Sequence, residues 1–414
     1  MKTIVSPHSS VDKKMEEKSG EKKREEKEEE KKIVKNISRI YARAISDQPR
    51  SLIDFINLKI PIYYLETKDE KHYEKHDVNP YRLLDFIGQG SSGKVYRAEH
   101  KLSKKIVAIK IFFDNCIMQD GETKVRERDR EKIPPPHVQK EIKILNHLGK
   151  STLRIIQLYD VFYTFNAGCK GTGSRETLHM VFEYIPMSSN VFGNSKWLKR
   201  LSCSAVATYL YQLLKTLDYC HSKGIIHCDV KPDNIVLDSK ENGNMLKLID
   251  FGHSQFYWPD DETYPSATLG TVGYKAPEML FKCPEIHYSV DVWSSGCVFL
   301  QMLFPEQARR FFCSSSHGDN SGQIGKLNEK FGTVVIENFC SKYGLCFFKL
   351  KYCSSKSWTE FLNLPSTPLD DVDDNINDSS IIDAMDLLNK LLEIDPIRRI
   401  TCAEALKHNY FKSC

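Results

Sequence analysis

Positions 226–234 read Ile226-His227-Cys228-Asp229-Val230-Lys231-Pro232-Asp233-Asn234, after a short apolar approach of Gly224, Ile225 and Ile226. An acid, a base and an amide therefore stand within a few residues of one another. Phosphoryl transfer from a nucleotide to a hydroxyl needs those three groups. A carboxylate (Asp229) accepts the hydroxyl proton, an ammonium (Lys231) neutralises the moving phosphoryl, and an amide oxygen (Asn234) holds a metal. A polar surface loop would explain any one of these residues. It would not explain the partners that stand upstream and downstream in a matching order.

Downstream, Asp250-Phe251-Gly252 follows the apolar run Leu246-Lys247-Leu248-Ile249. Asp250 thus lies at a strand end, where its carboxylate, with Asn234, can chelate magnesium between the phosphates. Upstream, Ile106-Val107-Ala108-Ile109-Lys110-Ile111 reads as a buried strand with one lysine, which is costly unless paired. The α- and β-phosphates of ATP and a helical glutamate would pair it. Glu141, on the amphipathic stretch Val138-Gln139-Lys140-Glu141-Ile142-Lys143-Ile144-Leu145, is the best candidate. Glu131 is the runner-up, cut off from that helix by Pro134-Pro135-Pro136. The alternative for Lys110 is an edge-strand side chain reaching out to water.

Further upstream stands Ile87-Gly88-Gln89-Gly90-Ser91-Ser92-Gly93-Lys94-Val95. Taken alone, G-x-G-x-x-G is weak, because dinucleotide-binding folds use it to open a helix. Here Val95 and Tyr96 are strand formers, and no helical apolar period follows. The stretch reads as a glycine-rich hairpin whose amides lie over phosphate oxygens. Ile87 and Val95 would cover the adenine.

The elements that must position these groups can be placed from the pattern. Residues 156–162 and 178–182 read as strands joined by a glycine-rich tip at 166–176. Met180-Val181-Phe182-Glu183-Tyr184-Ile185-Pro186 carries the chain out of the second strand towards the helical part. Residues 205–222 keep Val206, Tyr209, Leu210, Leu213, Leu214 and Leu217 on one helical face and end at Gly224. The catalytic stretch follows, then a hairpin over 235–237 and 246–249. Residues 253–278 form the substrate-facing loop, from which Thr271 can bridge Asp229 and Lys231. Asp291 opens a buried helix and should accept hydrogen bonds from the backbone near Asp229, while Arg399 should pair with Glu278.

The chain has 414 residues, 41% hydrophobic and 28% charged, the balance of a soluble globular protein large enough for one two-lobed domain. A net charge of +4 gives no whole-molecule argument for nucleic-acid binding, and no apolar run reaches membrane-spanning length. Thirteen cysteines without an apolar leader point to a reducing, intracellular setting with free thiols. Cys340, Cys346 and Cys353 do not have the spacing of a zinc knuckle. Residues 1–32 carry a run of lysine and glutamate from 13 to 32 and read as a solvated arm, with Lys22-Lys23-Arg24 a weak nuclear-import element. Residues 33–80 regain apolar residues and read as an extension packing on the domain, its Pro49 and Pro61 favouring short helical pieces. The charged stretch between Lys110 and Glu141 could help to bind an acidic substrate, but its charge nearly cancels in sign and it reads at least as well as a solvated insertion.

As an ordered set, Gly88, Gly90, Gly93, Lys110, Glu141, Asp229, Lys231, Asn234, Asp250, Glu278, Asp291 and Arg399 resemble the eukaryotic protein kinases, from about residue 81 to the end. The resemblance implies an α+β, two-lobed protein-kinase fold with an N-lobe at 81–182, a hinge at 183–186 and a helical C-lobe at 187–411. It implies ATP and magnesium as cofactors. Ala108 and Val236 join Ile87, Gly88, Gln89, Gly90, Ser91, Ser92, Gly93, Lys94, Val95, Lys110, Glu141, Phe182, Glu183 and Ile185 in the nucleotide-binding set. Asn234 and Asp250 are the metal ligands, and Asp229, Lys231 and Thr271 the catalytic group. Lys231 and Thr271 mark serine/threonine specificity. A pseudokinase scaffold is the rival reading, which normally shows loss of the strand lysine or of a catalytic or metal aspartate.

Within that superfamily, Gly270-Thr271-Val272-Gly273-Tyr274-Lys275-Ala276-Pro277-Glu278 through Pro284, and Val290-Asp291-Val292-Trp293-Ser294, look like the cell-division-cycle-seven kinases of replication initiation. Leu217-Asp218-Tyr219-Cys220-His221-Ser222 and Asp250-Phe251-Gly252-His253-Ser254-Gln255-Phe256-Tyr257 look more like the casein kinase II catalytic subunit, the second choice. The first resemblance implies a nuclear protein of the cell cycle. Both imply a regulatory subunit as partner, in place of a phosphate on Tyr264, Ser266 or Thr268. Cys228 stands where the family has an arginine, so the main docking cation for such a phosphate is missing. Lys275 and Lys282, beside the substrate groove, are compatible with an acidic protein substrate.

Overall fold

The computed structural model describes residues 60–64, 79–90, 92–113, 131–132, 134–149, 154–166, 175–186, 192, 194–238, 245–257, 269–284, 286–312, 320–345, 350–364 and 378–413. Strands β1 (Ile60–Tyr64), β2 (Tyr81–Gln89), β3 (Gly93–His100), β4 (Ile106–Phe112), β5 (Glu131–Lys132), β6 (Leu158–Asn166) and β7 (Arg175–Glu183) build one sheet in the order β2-β3-β4-β7-β6-β1-β5. Helix α1 (Pro136–Leu148) packs beside it. The larger lobe is helical, with α2 (Cys203–Ser222), α3 (Ser289–Leu303), α4 (Asn320–Phe331), α5 (Thr333–Lys342) and α6 (Asp378–Leu391). This is the two-lobed α+β arrangement expected from the sequence.

Strands β2, β3, β4, β7 and β6 run antiparallel to their neighbours, with β7 inserted between β4 and β6. Gly93 is needed there for packing: a β-carbon on it would collide with the Ile111 carbonyl of β4. Gly88 and Gly90 differ, because a β-carbon on either meets nothing within 4 Å.

The extension departs from expectation. Its described part, Ile60-Pro61-Ile62-Tyr63-Tyr64, is a strand and not a helical piece. Isoleucine and tyrosine favour an extended, sheet-packed backbone, and the segment is too short to close a stable helix. Ile62, Tyr63 and Tyr64 pair parallel to β6, and Ile60 and Pro61 pair antiparallel to β5. The solvated arm, most of the extension, the hairpin tip and the possible phosphosites Tyr264, Ser266 and Thr268 lie outside the described residues.

In the large lobe α2 starts at Ser202, whose hydroxyl accepts from the Ala205 amide, and it buries Leu210, Leu213, Leu214 and Leu217 completely. Helix α3 is buried nearly all round, as its apolar run leads one to expect. Cys340 is buried and Cys353 half-buried as free thiols; Cys346 lies outside the described residues. None of the described helices is long and apolar enough to cross a membrane.

Candidate active site

Ile235–Asp238 (β9) and Met245–Leu248 (β10) form a small hairpin after the catalytic stretch, and Ile225-Ile226 (β8) before it pairs antiparallel with Gln255–Phe256 (β11). The stretch itself is tied to the core by Asp291 at the start of α3. The fully buried Asp291 carboxylate accepts the His227 amide at 2.8 Å, the Cys228 amide at 2.9 Å and His221 Nε2 at 2.9 Å. Those bonds hold Cys228 in the left-handed backbone region, at φ 64°, where a non-glycine residue is strained by about 1–2 kcal/mol. Asp250, at φ 60°, lies in the same backbone region. Strain of this kind persists where surrounding contacts over-determine the backbone.

Asp229 is the centre of the polar network. Thr271 donates its hydroxyl to Oδ1 at 2.6 Å, and Lys231 Nζ donates to Oδ2 at 2.8 Å and to Thr271 Oγ1 at 2.7 Å. Asn234 Nδ2 donates to the Asp229 carbonyl at 2.8 Å and to Oδ2 at 3.1 Å, which leaves its amide oxygen as the atom for a cation. His253 Nδ1 lies 3.5 Å from Oδ2. Burial alone would raise the pKa of Asp229. His253, Lys231 and Thr271, all facing the carboxylate, outweigh it and hold the group far below the usual carboxylate range.

His227, fully buried, has its pKa lowered by that burial. Its Nδ1 accepts the Asp229 amide at 3.3 Å and its Nε2 faces the Ile249 carbonyl at 3.3 Å, the pattern of a neutral imidazole protonated at Nε2. The ring meets Phe251 edge-on at 4.8 Å, so the Asp250-Phe251-Gly252 turn packs directly on the catalytic stretch.

From the small lobe, Lys110 Nζ reaches 3.7 Å from Glu141 Oε2 and 3.8 Å from Asp250 Oδ1. Glu141 of α1 is thus the partner, and Glu131 belongs to β5. Burial raises the pKa of Glu141 despite Lys110 beside it. Burial also opposes ionisation of Asp250, but Lys110 and the Gly252 amide prevail and its pKa is lowered. The Asp250 side chain is 50% exposed, facing the cleft. A β-carbon at position 252 would come within 3.1 Å of Asp250 Oδ1 and 3.5 Å of Glu141 Oε2, so only glycine leaves this corner free.

These residues suit ATP and magnesium. The open space over Gly88 and Gly90 is what a phosphate-covering loop requires, since no described residue fills the place of their missing side chains. Among the described residues no cluster of three or more histidine, cysteine or acidic side chains forms a cage. Magnesium suits such a site, because it keeps waters and substrate phosphates as most of its ligands. Asp250 and the Asn234 oxygen would supply the protein's share.

Of the nucleotide-facing set, Ile87, Gly88, Val95, Ala108, Lys110, Phe182, Glu183 and Ile185 are half-buried, Val236 is buried, Ser92 half-buried, and Gln89, Gly90 and Lys94 exposed. Ser91 lies outside the described residues. Four features escaped the sequence reading. The Glu183 carboxylate receives Lys247 Nζ at 2.6 Å and the Gln157 amide at 3.0 Å, and Lys247 also reaches Asp238 at 3.3 Å, which bolts the hinge to the β9–β10 hairpin. His253 faces the catalytic carboxylate. His221 shares Asp291. Lys275 is only 7% exposed, and burial lowers its pKa although Asp229 lies near. Lys282 is exposed.

Asp291 and Arg399 perform as expected. Arg399 donates to both Glu278 oxygens at 2.6 and 2.9 Å and to the carbonyls of Ser289, Glu393 and Ile394, all within the core.

A family model described as the protein kinase domain matches residues 81–411. A protein of Dictyostelium discoideum described as a "Probable serine/threonine-protein kinase" is 29% identical over 385 residues, or 92% of this chain and 53% of its own length. The chain spans about half the length of that curated relative.

Proposed function

The chain belongs to the protein kinase domain family, and from that we propose that it is an active serine/threonine kinase moving the γ-phosphoryl group of ATP to protein hydroxyls. The observation that carries this is convergence. Lys110 meets Glu141 and Asp250, and Asp229 meets Lys231, Asn234 and Thr271, around one cleft whose two halves are joined at Phe251. Bound ATP supplies the phosphoryl group, and magnesium neutralises charge between its phosphates. Asp229, kept ionised by its neighbours, orients the incoming hydroxyl and accepts its proton. Lys231 stands where negative charge grows, and Thr271 fixes both. Lys110 positions the phosphates, held in place by Glu141. A pseudokinase would have lost one of these groups, and all are present.

Within the family we propose a cell-division-cycle-seven-like role in replication initiation, hence a nuclear kinase of the cell cycle, on the strength of the 270–284 and 290–294 stretches. A casein-kinase-II-like acidophilic kinase is the second reading, supported by residues 217–222 and 250–257. Regulation by a bound subunit is part of either. Its support is Cys228, a thiol only 4% exposed, whose Sγ lies 3.8 Å from the Ile226 carbonyl where a phosphate-docking cation would have to reach outward. The test is phosphorylation of a degenerate peptide library by the purified chain, with and without candidate subunits and with Asp229→Asn as control. Transfer that persists in Asp229→Asn defeats the catalytic assignment. A proline-directed or basic-directed preference defeats both family readings.

A further inference from the structure

Lys110 and Glu141 lie on different elements, and the backbone connects them by a closed circuit. Lys110 of β4 pairs with Met180 of β7, and Met180 with Val161 of β6. Tyr163 of β6 pairs with Ile62 of β1, and Ile60 of β1 with Lys132 of β5. After β5 come Pro134 and Pro135, and Pro136 opens α1, which carries Glu141 back to Lys110 at 3.7 Å. Among the described residues β1 is the one strand on which β5 pairs.

From Pro134 onward the approach to α1 is stiff. Proline fixes φ, and Gln139 Nε2 donates back to the Pro134 carbonyl at 2.6 Å, fastening the linker to the first helical turn. That turn has no side-chain cap and no acidic residue, so the helix start is held by the buried Val138 and by its approach from β5 rather than by its own end groups. The other end is anchored: Tyr219 donates to the Leu148 carbonyl at 2.7 Å, and His147 lies 2.9 Å from the Lys223 carbonyl in the large lobe. The backbone route through β5 is therefore a restraint on where the start of α1 lies.

We propose that β1, contributed by the extension, is a positioning segment that fixes the Lys110–Glu141 pair by bridging the small-lobe sheet to the proline-stiffened start of α1. The inference rests on the nucleotide role assigned above to that pair. It makes the extension part of the ATP-binding apparatus without any contact with the nucleotide.

The test uses the full chain. Ile62→Pro and Tyr63→Pro each delete a backbone amide in β1, while Tyr63→Phe keeps the strand. Hydrogen exchange over α1 and titration with magnesium-ATP are the readouts. In the proline variants α1 exchanges about tenfold faster and ATP binds about tenfold more weakly, while α2 and α3 stay protected and Tyr63→Phe matches the unsubstituted chain. In a Glu141→Gln background the proline substitution weakens ATP binding no further, because the pair it served is already gone. Unchanged α1 exchange and ATP affinity in both proline variants would overturn the proposal, as would fully additive losses with Glu141→Gln. If proline unfolds the large lobe too, the unsubstituted chain decides: β1 and α1 must exchange as one unit, and free exchange of β1 beside a protected α1 refutes the link. A chain that binds ATP in this β1-dependent way but phosphorylates nothing sinks the kinase reading alone.

Discussion

Replacing Thr271 with valine removes one oxygen and keeps the shape. Two bonds go with it: the 2.6 Å donation to Asp229 Oδ1 and the 2.7 Å acceptance from Lys231. Hydrogen bonds to charged groups contribute about 1.5–3 kcal/mol each. Thr271 is half-buried, so water partly replaces both partners, and a combined loss of about 2 kcal/mol is the reasonable figure. If that loss falls on the transition state, where Asp229 and Lys231 must stay aligned, kcat/KM drops about 30-fold. The KM for ATP should move less than about threefold, because Thr271 is not among the groups facing the nucleotide. Steady-state phosphorylation of a serine peptide by Thr271→Val, Thr271→Ser and the unsubstituted chain measures this directly. Serine restores the hydroxyl and should recover most of the rate. If valine costs less than about threefold, or serine does as badly as valine, the bridging role of Thr271 is refuted.

Other outcomes follow from the same geometry. Arg399→Met strands a buried Glu278 carboxylate and should lower unfolding free energy by about 3–5 kcal/mol in a denaturant titration, with part recovered in the Arg399→Met/Glu278→Leu double variant. Gly93→Ala should depress Tm because its methyl meets the Ile111 carbonyl, whereas Gly90→Ala should leave Tm alone and weaken ATP binding; equal Tm losses would contradict the distinction. Asp229 has a depressed folded-state pKa, so its ionised form and the stability it contributes persist above the unfolded carboxylate range and are lost only as pH falls through the folded value. The acid limb of the rate profile should therefore not follow Asp229 at any pH where the chain is folded. His253→Ala removes one of the groups that hold this carboxylate ionised and should raise the Asp229 pKa in an NMR titration; an unmoved Asp229 titration would separate His253 from the carboxylate.

The groups that do chemistry were legible because their roles demand particular atoms at particular points along the chain. Asp229, Lys231, Asn234, Asp250 and Lys110 cannot be exchanged for residues of like polarity, so type and order identify them. Glu141 could be preferred over Glu131 because three prolines bar a continuous helix. Burial of single polar side chains was harder to read. Lys275 and Lys247 look alike in sequence, as lysines among apolar neighbours, and only the fold shows one buried near Asp229 and the other locked to Glu183 and Asp238. Strand β1 was misread because its five residues acquire meaning from a pairing with β6 about one hundred positions away. His253 was visible as a residue but not as a neighbour, since its reach to Asp229 depends on how the Asp250-Phe251-Gly252 turn packs on His227.

Asp291 has a pharmacological corollary. Because one core carboxylate grips His227, Cys228 and His221 together, the floor of the cleft is as hard to deform as the interior of the large lobe. A small-molecule inhibitor cannot gain selectivity by reshaping that floor without forfeiting most of its affinity. Discrimination against other enzymes of the superfamily is better sought in the roof, where open glycines and a borrowed strand leave room for an induced pocket.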